Sequence, residues 1–287
     1  MRKLVALVCL LAITALAAAG CGSSSIDPVA TAATTSTAAA GYRMTFVMNM
    51  TSSALPQPIA MTGAGSVDAT DHAGSIAFDM SIPELRQLLP STGGALHMDM
   101  IIRGSTLYMR LPAAIGSKLP GGRPWWKIDL SKAHSSIPGL GSLGAPGFED
   151  PSQFLQYLRG AGGGVTKVGT DTVAGVSTTH YRATIDLSKV IDRLPAKSRS
   201  VARGLLAMVH AKKLPVDVWI DSNNLVRRMA FSMNMTVAGG QSLSMHMQLT
   251  IPQYGAQPEP AAPPAGQVTD MSSLGALNTN GIPSPTA

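Results

Sequence analysis

The chain has 287 residues, a formal charge of +6, 13% charged residues and 5% aromatics. Its Lys and Arg residues are scattered, with no long basic block and no interleaved aromatics. That argues against a nucleic-acid partner and leaves a weak preference for an anionic membrane surface.

Arg2 and Lys3 open the chain, Leu4 to Leu16 form an apolar run, and Ala17 to Gly20 are small. Charged, apolar, then small is the order of an export signal. The run is shorter than the roughly 20 residues a spanning helix needs. Ala19, Gly20 and Cys21 resemble the lipobox of bacterial lipoproteins, with Ala18 where leucine is commoner. The resemblance implies residues 1–20 as signal peptide, cleavage before Cys21, palmitate-type diacylation of its thiol and acylation of the new N-terminus. The protein would then sit lipid-anchored on the extracytoplasmic face of the cell membrane. More than one acyl chain makes such an anchor lasting. Loss of Arg2 and Lys3 leaves 6 − 2 = +4, and Cys9 departs with the signal.

Residues 21–40 are mainly Ser, Thr and Ala and read as a flexible tether. A folded domain is expected over 41–254, where alternation with period two dominates. Tyr42, Met44, Phe46, Met48 and Met50 share one face of a strand, with Arg43, Thr45 and Asn49 opposite. Leu96, Met98, Met100 and Ile102 alternate with polar residues up to a turn at Gly104-Ser105, and Leu107, Met109 and Leu111 continue after it. A second hairpin turns at Asp221 to Asn224 and carries Met229, Phe231, Met233 and Met235 on one face. Leu243, Met245, Met247 and Leu249 alternate likewise. Weaker strands are predicted over Ile59–Val67, Ser75–Met80, Trp125–Leu130, Val165–Thr170 and Thr178–Leu187. Helices are predicted over Pro83–Leu89, Pro151–Arg159 and Ala196–Lys212, the last interrupted by Gly204. Residues 255–287 are Pro-rich and read as a mostly disordered tail, with room for a short docked piece near Val268 to Leu274. "KIDLSK" at Lys127–Lys132 echoes "TIDLSK" at Thr184–Lys189. The echo is either shared strand-exit chemistry, chance, or a trace of two related halves.

The six histidines lack metal-ligand spacing, so no metal site is expected, and His97 and His246 fall on polar faces. "GLGSLG" at Gly139–Gly144 fits a dinucleotide loop in letters only, since Pro138 precedes it and Pro146 follows. No nucleophile motif or paired carboxylates occur, so neither catalysis nor a cofactor is expected. The remaining constellation is methionine, 16 residues in all. Unbranched, polarizable Met side chains suit irregular apolar ligands, and equally a loosely filled core.

The segments "IIRGSTLYMRL", "WWKIDLSK", "DPSQFLQYL", "GTDTVAGVSTTHYRATIDL" and "PVDVWIDSNNLVRRMAFSM" resemble the LolA-like envelope lipoproteins, especially the LppX/LprG group of actinobacterial lipid carriers. The resemblance implies an α+β fold: a large curved antiparallel sheet, or half-barrel, with helices covering its concave apolar face. It implies a hydrophobic cavity for lipids, glycolipids or acyl chains. Alternation nominates Met44, Phe46, Met48, Met98, Met100, Phe231, Met233, Met245 and Met247 as cavity residues, with Leu205 and Met208 from the long helix. Expected partners are an apolar ligand, the membrane through acylated Cys21, and an envelope transporter or other protein. The alternative is a sensor or scaffold of the same fold that binds a protein and no lipid.

Overall fold

A computed structural model describes residues 27–83, 93–110, 112, 122–133, 164–193, 196–208, 212–237 and 240–271. The lipobox, the predicted helix over Pro151–Arg159 and all of Pro83–Leu89 but Pro83 lie outside them, as do Gly139–Gly144 and residues 272–287.

Strong β alternation makes one 12-stranded sheet. The strands are β1 (Gly41–Ser52), β2 (Ile59–Asp68), β3 (Ala73–Ser81), β4 (Ala95–Arg103), β5 (Thr106–Arg110), β6 (Trp125–Asp129), β7 (Val165–Val173), β8 (Val176–Asp186), β9 (Lys213–Asp221), β10 (Val226–Val237), β11 (Gln241–Tyr254) and β12 (Val268–Asp270). Their order is β12-β6-β5-β4-β3-β2-β1-β11-β10-β9-β8-β7. Two meanders, β1 to β6 and β7 to β11, are therefore joined where β1 pairs with β11. All neighbours are antiparallel except β12, which lies parallel to β6. Antiparallel sheets commonly bury one face and wet the other, and β1 does so: Met44, Phe46 and Met48 are buried, and Thr45, Val47 and Asn49 are exposed.

The apolar face is packed closely enough to need glycine. Gly63 stands between Phe46 and Phe78 in register. A Cβ there would meet the Phe46 ring at 2.5 Å.

Residues 28–37 correct the tether reading, because Pro28–Thr37 is a helix, α1. Asp27 caps it, accepting from the amides of Val29 and Ala30 at 2.9 and 3.2 Å, and Pro28 pre-sets its first turn. Val29, Ala32 and Ala33 are 1%, 0% and 0% exposed and join the core with Val216, Val218 and Ile220. Small side chains let the helix lie close on the sheet.

Leu187–Arg193 (α3) and Ala196–Met208 (α4) link β8 to β9, and a short helix, Leu130–Ala133 (α2), follows β6. Ile191 is buried, and Leu187 and Val190 pack on the same core as α1. The principal helix contacts on this part of the sheet fall on β8, β9 and β10. The "IDLS" echo is strand-exit chemistry. Asp129 accepts from the Ser131 amide and Asp186 from the Ser188 amide, each at 3.0 Å, where a strand becomes a helix. The strands concerned, β6 and β8, hold different positions in the two meanders.

The tail reading is also corrected in part. Gln257 is buried, its Oε1 accepts from Arg43 Nε at 3.1 Å, and Glu259 pairs with Arg103 at 2.7 Å. Asp270 pairs with Lys127 at 3.1 Å, and buried Met271 packs on Leu107 and Ile128.

Candidate functional site

In antiparallel pairing, directly opposed residues share a face. A continuous row therefore runs across the sheet: Leu96, Met80, Met61 and Met48, then Met247, Phe231, Val216 and Ala183. A neighbouring row joins Met98, Phe78, Gly63, Phe46, Leu249, Met229 and Val218. Met109, Met100, Ile76, Gly65 and Met44 form a third. On the other side of the Met48 row, Met50, Met245 and Met233 form a fourth. Every methionine in a described strand lies on this one face.

Burial differs along that face. Met44, Phe46 and Met48 are 4%, 8% and 5% exposed. Met98, Met100, Phe231, Met233, Met245 and Met247 are only half-buried. Met50 is half-buried as well, so on β1, β10 and β11 the face loosens toward the Ser52 end of β1, whereas on β4 Leu96 is buried and Met98 and Met100 are the looser residues. The structure thus brings all the nominated strand residues together. The side chains of Leu205 and Met208 lie outside the described ones, although α4 itself approaches β10. Met61, Met80 and Met50 share the same rows and were not nominated. Met50 was legible from its alternation with Met48; Met61 and Met80 sit in strands whose alternation is diluted by Gly and Ala.

The opposite face is polar and carries cross-strand ion pairs. His97 Nδ1 lies 2.8 Å from Asp79, its Nε2 lies 3.3 Å from Asp99, and Arg110 pairs with Asp99 at 3.0 Å. The hydrogen bond to Asp79 raises the His97 pKa above its ordinary value, and the Asp99 charge adds to it against a burial effect of opposite sign. Asp217 holds both His180 and Arg182, at 2.8 and 2.9 Å. Trp219 stacks on His180 with ring centroids 4.2 Å apart, donates to Asp171 at 3.2 Å, and has the Arg228 guanidinium over its ring. Carboxylates here hold bases already engaged with neighbours. These carboxylate pairs stiffen the sheet. Elsewhere on this face the Ser232 hydroxyl and His246 Nδ1 lie 2.9 Å apart, exposed, across β10 and β11. Among the described residues, no group of three His, Cys, Asp or Glu is placed to hold a metal ion.

The hairpin between β9 and β10 is pinned by a buried pair. Asp221 accepts from Arg227 Nε at 2.7 Å and from the amides of Asn223 and Leu225 at 2.8 and 3.0 Å. Nearby, the Tyr254 hydroxyl donates to the Val226 carbonyl at 2.6 Å, and burial raises its pKa to about 12.

Among solved structures, the chain is similar to LprF of Mycobacterium bovis, at 13% identity, covering 84% of this chain and 95% of that one, with a TM-score of 0.43. It is similar to the lipoprotein LppX of Mycobacterium tuberculosis at 16% identity, covering 82% and 98%, with a TM-score of 0.42. Both are lipoproteins of the LppX/LprG group that the sequence segments resemble. A protein of Streptomyces griseus, described as an uncharacterized 31.2 kDa protein in the rplA-rplJ intergenic region, is 24% identical over 163 residues. The match takes in 54% of this chain and 50% of the relative, so it spans about half the relative's length. No protein-family model matches the chain. No helix among the described residues is long and apolar enough to cross a membrane.

Proposed function

We propose that the chain is a membrane-anchored lipoprotein that binds lipids, glycolipids or their acyl chains in the cell envelope. The observation that carries the reading is the collection of every described strand methionine on one sheet face, with burial that relaxes toward Met50, Met233 and Met245. Flexible thioether side chains adapt to acyl chains of varied length and kink. Binding is non-covalent. The sheet and helices form the walls of a half-barrel, and each buried CH₂ contributes about 0.8 kcal/mol toward leaving the bilayer. Acylated Cys21 holds the protein on the extracytoplasmic face of the membrane. This reading needs no catalytic step.

A second reading is a scaffold or sensor whose apolar face is simply its core and whose partner is a protein. The tight burial of Met44, Phe46 and Met48 favours it. Extraction of the purified mature protein with organic solvent, followed by mass spectrometry, separates the two. Stoichiometric co-purified lipid supports the carrier. An empty domain that takes up no fluorescent phospholipid supports the scaffold.

A further inference from the structure

The α3–α4 pair is inserted between β8 and β9, and its two ends meet at the sheet. Asp186 pairs with Lys213, and the Leu187 amide donates to the Lys212 carbonyl at 2.9 Å. Register places the loosened methionines at this same end. Met233 lies two residues beyond the Phe231–Val216 pair, level with Leu214, and faces Met245, which faces Met50.

The insertion is basic. Between Asp186 and Lys213 the sequence has Lys or Arg at 189, 193, 197, 199, 203 and 212, and one acid, Asp192. That acid is engaged by Arg203 at 3.2 Å. Lys189, Lys212 and Lys213 are exposed. Each Lys or Arg within about a Debye length of an anionic lipid surface is attracted to it, and the attractions add.

Chain length adds an independent constraint. The packed helix α1 begins at Pro28 and its cap is Asp27. The six residue steps from Cys21 to Asp27 span at most about 21 Å. An anchor at Cys21 therefore keeps the domain beside its own bilayer.

We propose that the α3–α4 end of the domain docks on anionic phospholipid of the bilayer that holds Cys21, and that the half-buried methionines take up acyl chains from that membrane. The inference rests on the anchored-carrier reading and narrows it to exchange at short range.

The test uses the acylated mature protein in vesicles of phosphatidylcholine, alone or mixed equally with phosphatidylglycerol. A dye on Ala207→Cys, an exposed α4 position, reports energy transfer to a dye on lipid headgroups. Transfer is expected to be strong on the mixed vesicles. It should fall by about half or more on phosphatidylcholine alone, at high salt, or with Lys189, Lys212 and Lys213 all changed to Glu. An insertion of about twenty Gly/Ser residues after Ser25 adds a reach of about 25 Å and should weaken transfer wherever charge does not hold the domain down. A parallel Lys→Gln triple variant guards against misfolding, and the urea midpoint of each variant is measured. Transfer indifferent to lipid charge, salt and both variants overturns the docking proposal. If Cys21 carries no acyl mass, the anchor and this inference fall together. If docking is seen and no lipid is ever extracted, the carrier reading falls and the docking surface stands.

Discussion

The backbone amide of Val226 donates to the Ser36 hydroxyl at 2.9 Å, tying the end of α1 to the start of β10 in a buried site. A helix held this way is part of the domain. Ser36→Ala leaves a buried N–H without a partner, which is expected to cost about 1–3 kcal/mol. Deleting residues 22–26 should leave the urea midpoint unchanged, whereas deleting 22–37 should unfold the domain or lower the midpoint sharply. Equal midpoints for the two deletions would return 28–37 to a tether.

Gly63 tests the packing of the apolar face. Gly63→Ala places a methyl against the Phe46 ring, and its Cβ also comes within 2.8 Å of the Ala77 carbonyl. Overpacking of about 1–3 kcal/mol is expected, read as a lower denaturant midpoint. Gly63→Ala combined with Phe46→Leu should recover part of that loss if the ring is the obstacle.

The strands were legible because alternation with period two is imposed residue by residue by the pleat. Tyr42, Met44, Phe46 and Met48 announce β1 without reference to any partner strand. The pairing of β1 with β11 was not legible, since it is a contact between the two ends of the domain. Helix α1 was missed because its buried stripe is Val29, Ala32, Ala33 and Ser36, spaced as a helix but scarcely hydrophobic. Asp27-Pro28 was the available signal. Strand β12 falls in the docked piece expected near Val268, but its strand character was not legible, because its three residues are held chiefly by main-chain pairing to β6 and by Lys127. Among the candidate residues, alternation told which face each occupies; it could not tell that Met48 is packed while Met233 is loosened.

The polar face predicts one pH effect. His97 gains Asp79 as a hydrogen-bond partner, so its folded pKa lies above the ordinary 6.5. The proton is bound more tightly in the folded state. The stabilisation is full below pH 6.5 and disappears as pH rises through the folded pKa. Histidine NMR titration should find this elevated value, and Asp79→Asn should bring it back toward the ordinary one. The exposure of the pair keeps the effect on stability small.

At the other end of the scale, Tyr254 keeps its proton up to about pH 12 in the folded state. An unfolded tyrosine loses it near pH 10. The folded chain therefore binds more protons between these values, and stability falls as pH rises from 10 to 12. The loss is about 3 kcal/mol over that window. Tyr254→Phe removes this component, so the stability difference between wild type and variant should shrink over that window. A constant difference would mean that the hydroxyl is not held in its buried bond to Val226.

Met233 separates the two functional readings. It faces Met245 across β10 and β11, in the row where the apolar face is loosened. In a filled core, a larger side chain at 233 must displace neighbours, at about 1–3 kcal/mol. In a lipid cavity, the added ring occupies space that the ligand would take. Met233→Trp is therefore expected to reduce uptake of a fluorescent phospholipid several-fold while moving the denaturant midpoint of the delipidated domain little. Met48→Trp is the control. Met48 is already packed between Met61 and Met247, so enlargement there should destabilise the domain with or without lipid. If both variants lose stability equally and neither changes uptake, the methionine face is a core along its whole length. If Met233→Trp alone blocks uptake, acyl chains occupy the loosened end of the face, beside Met50 and Met245.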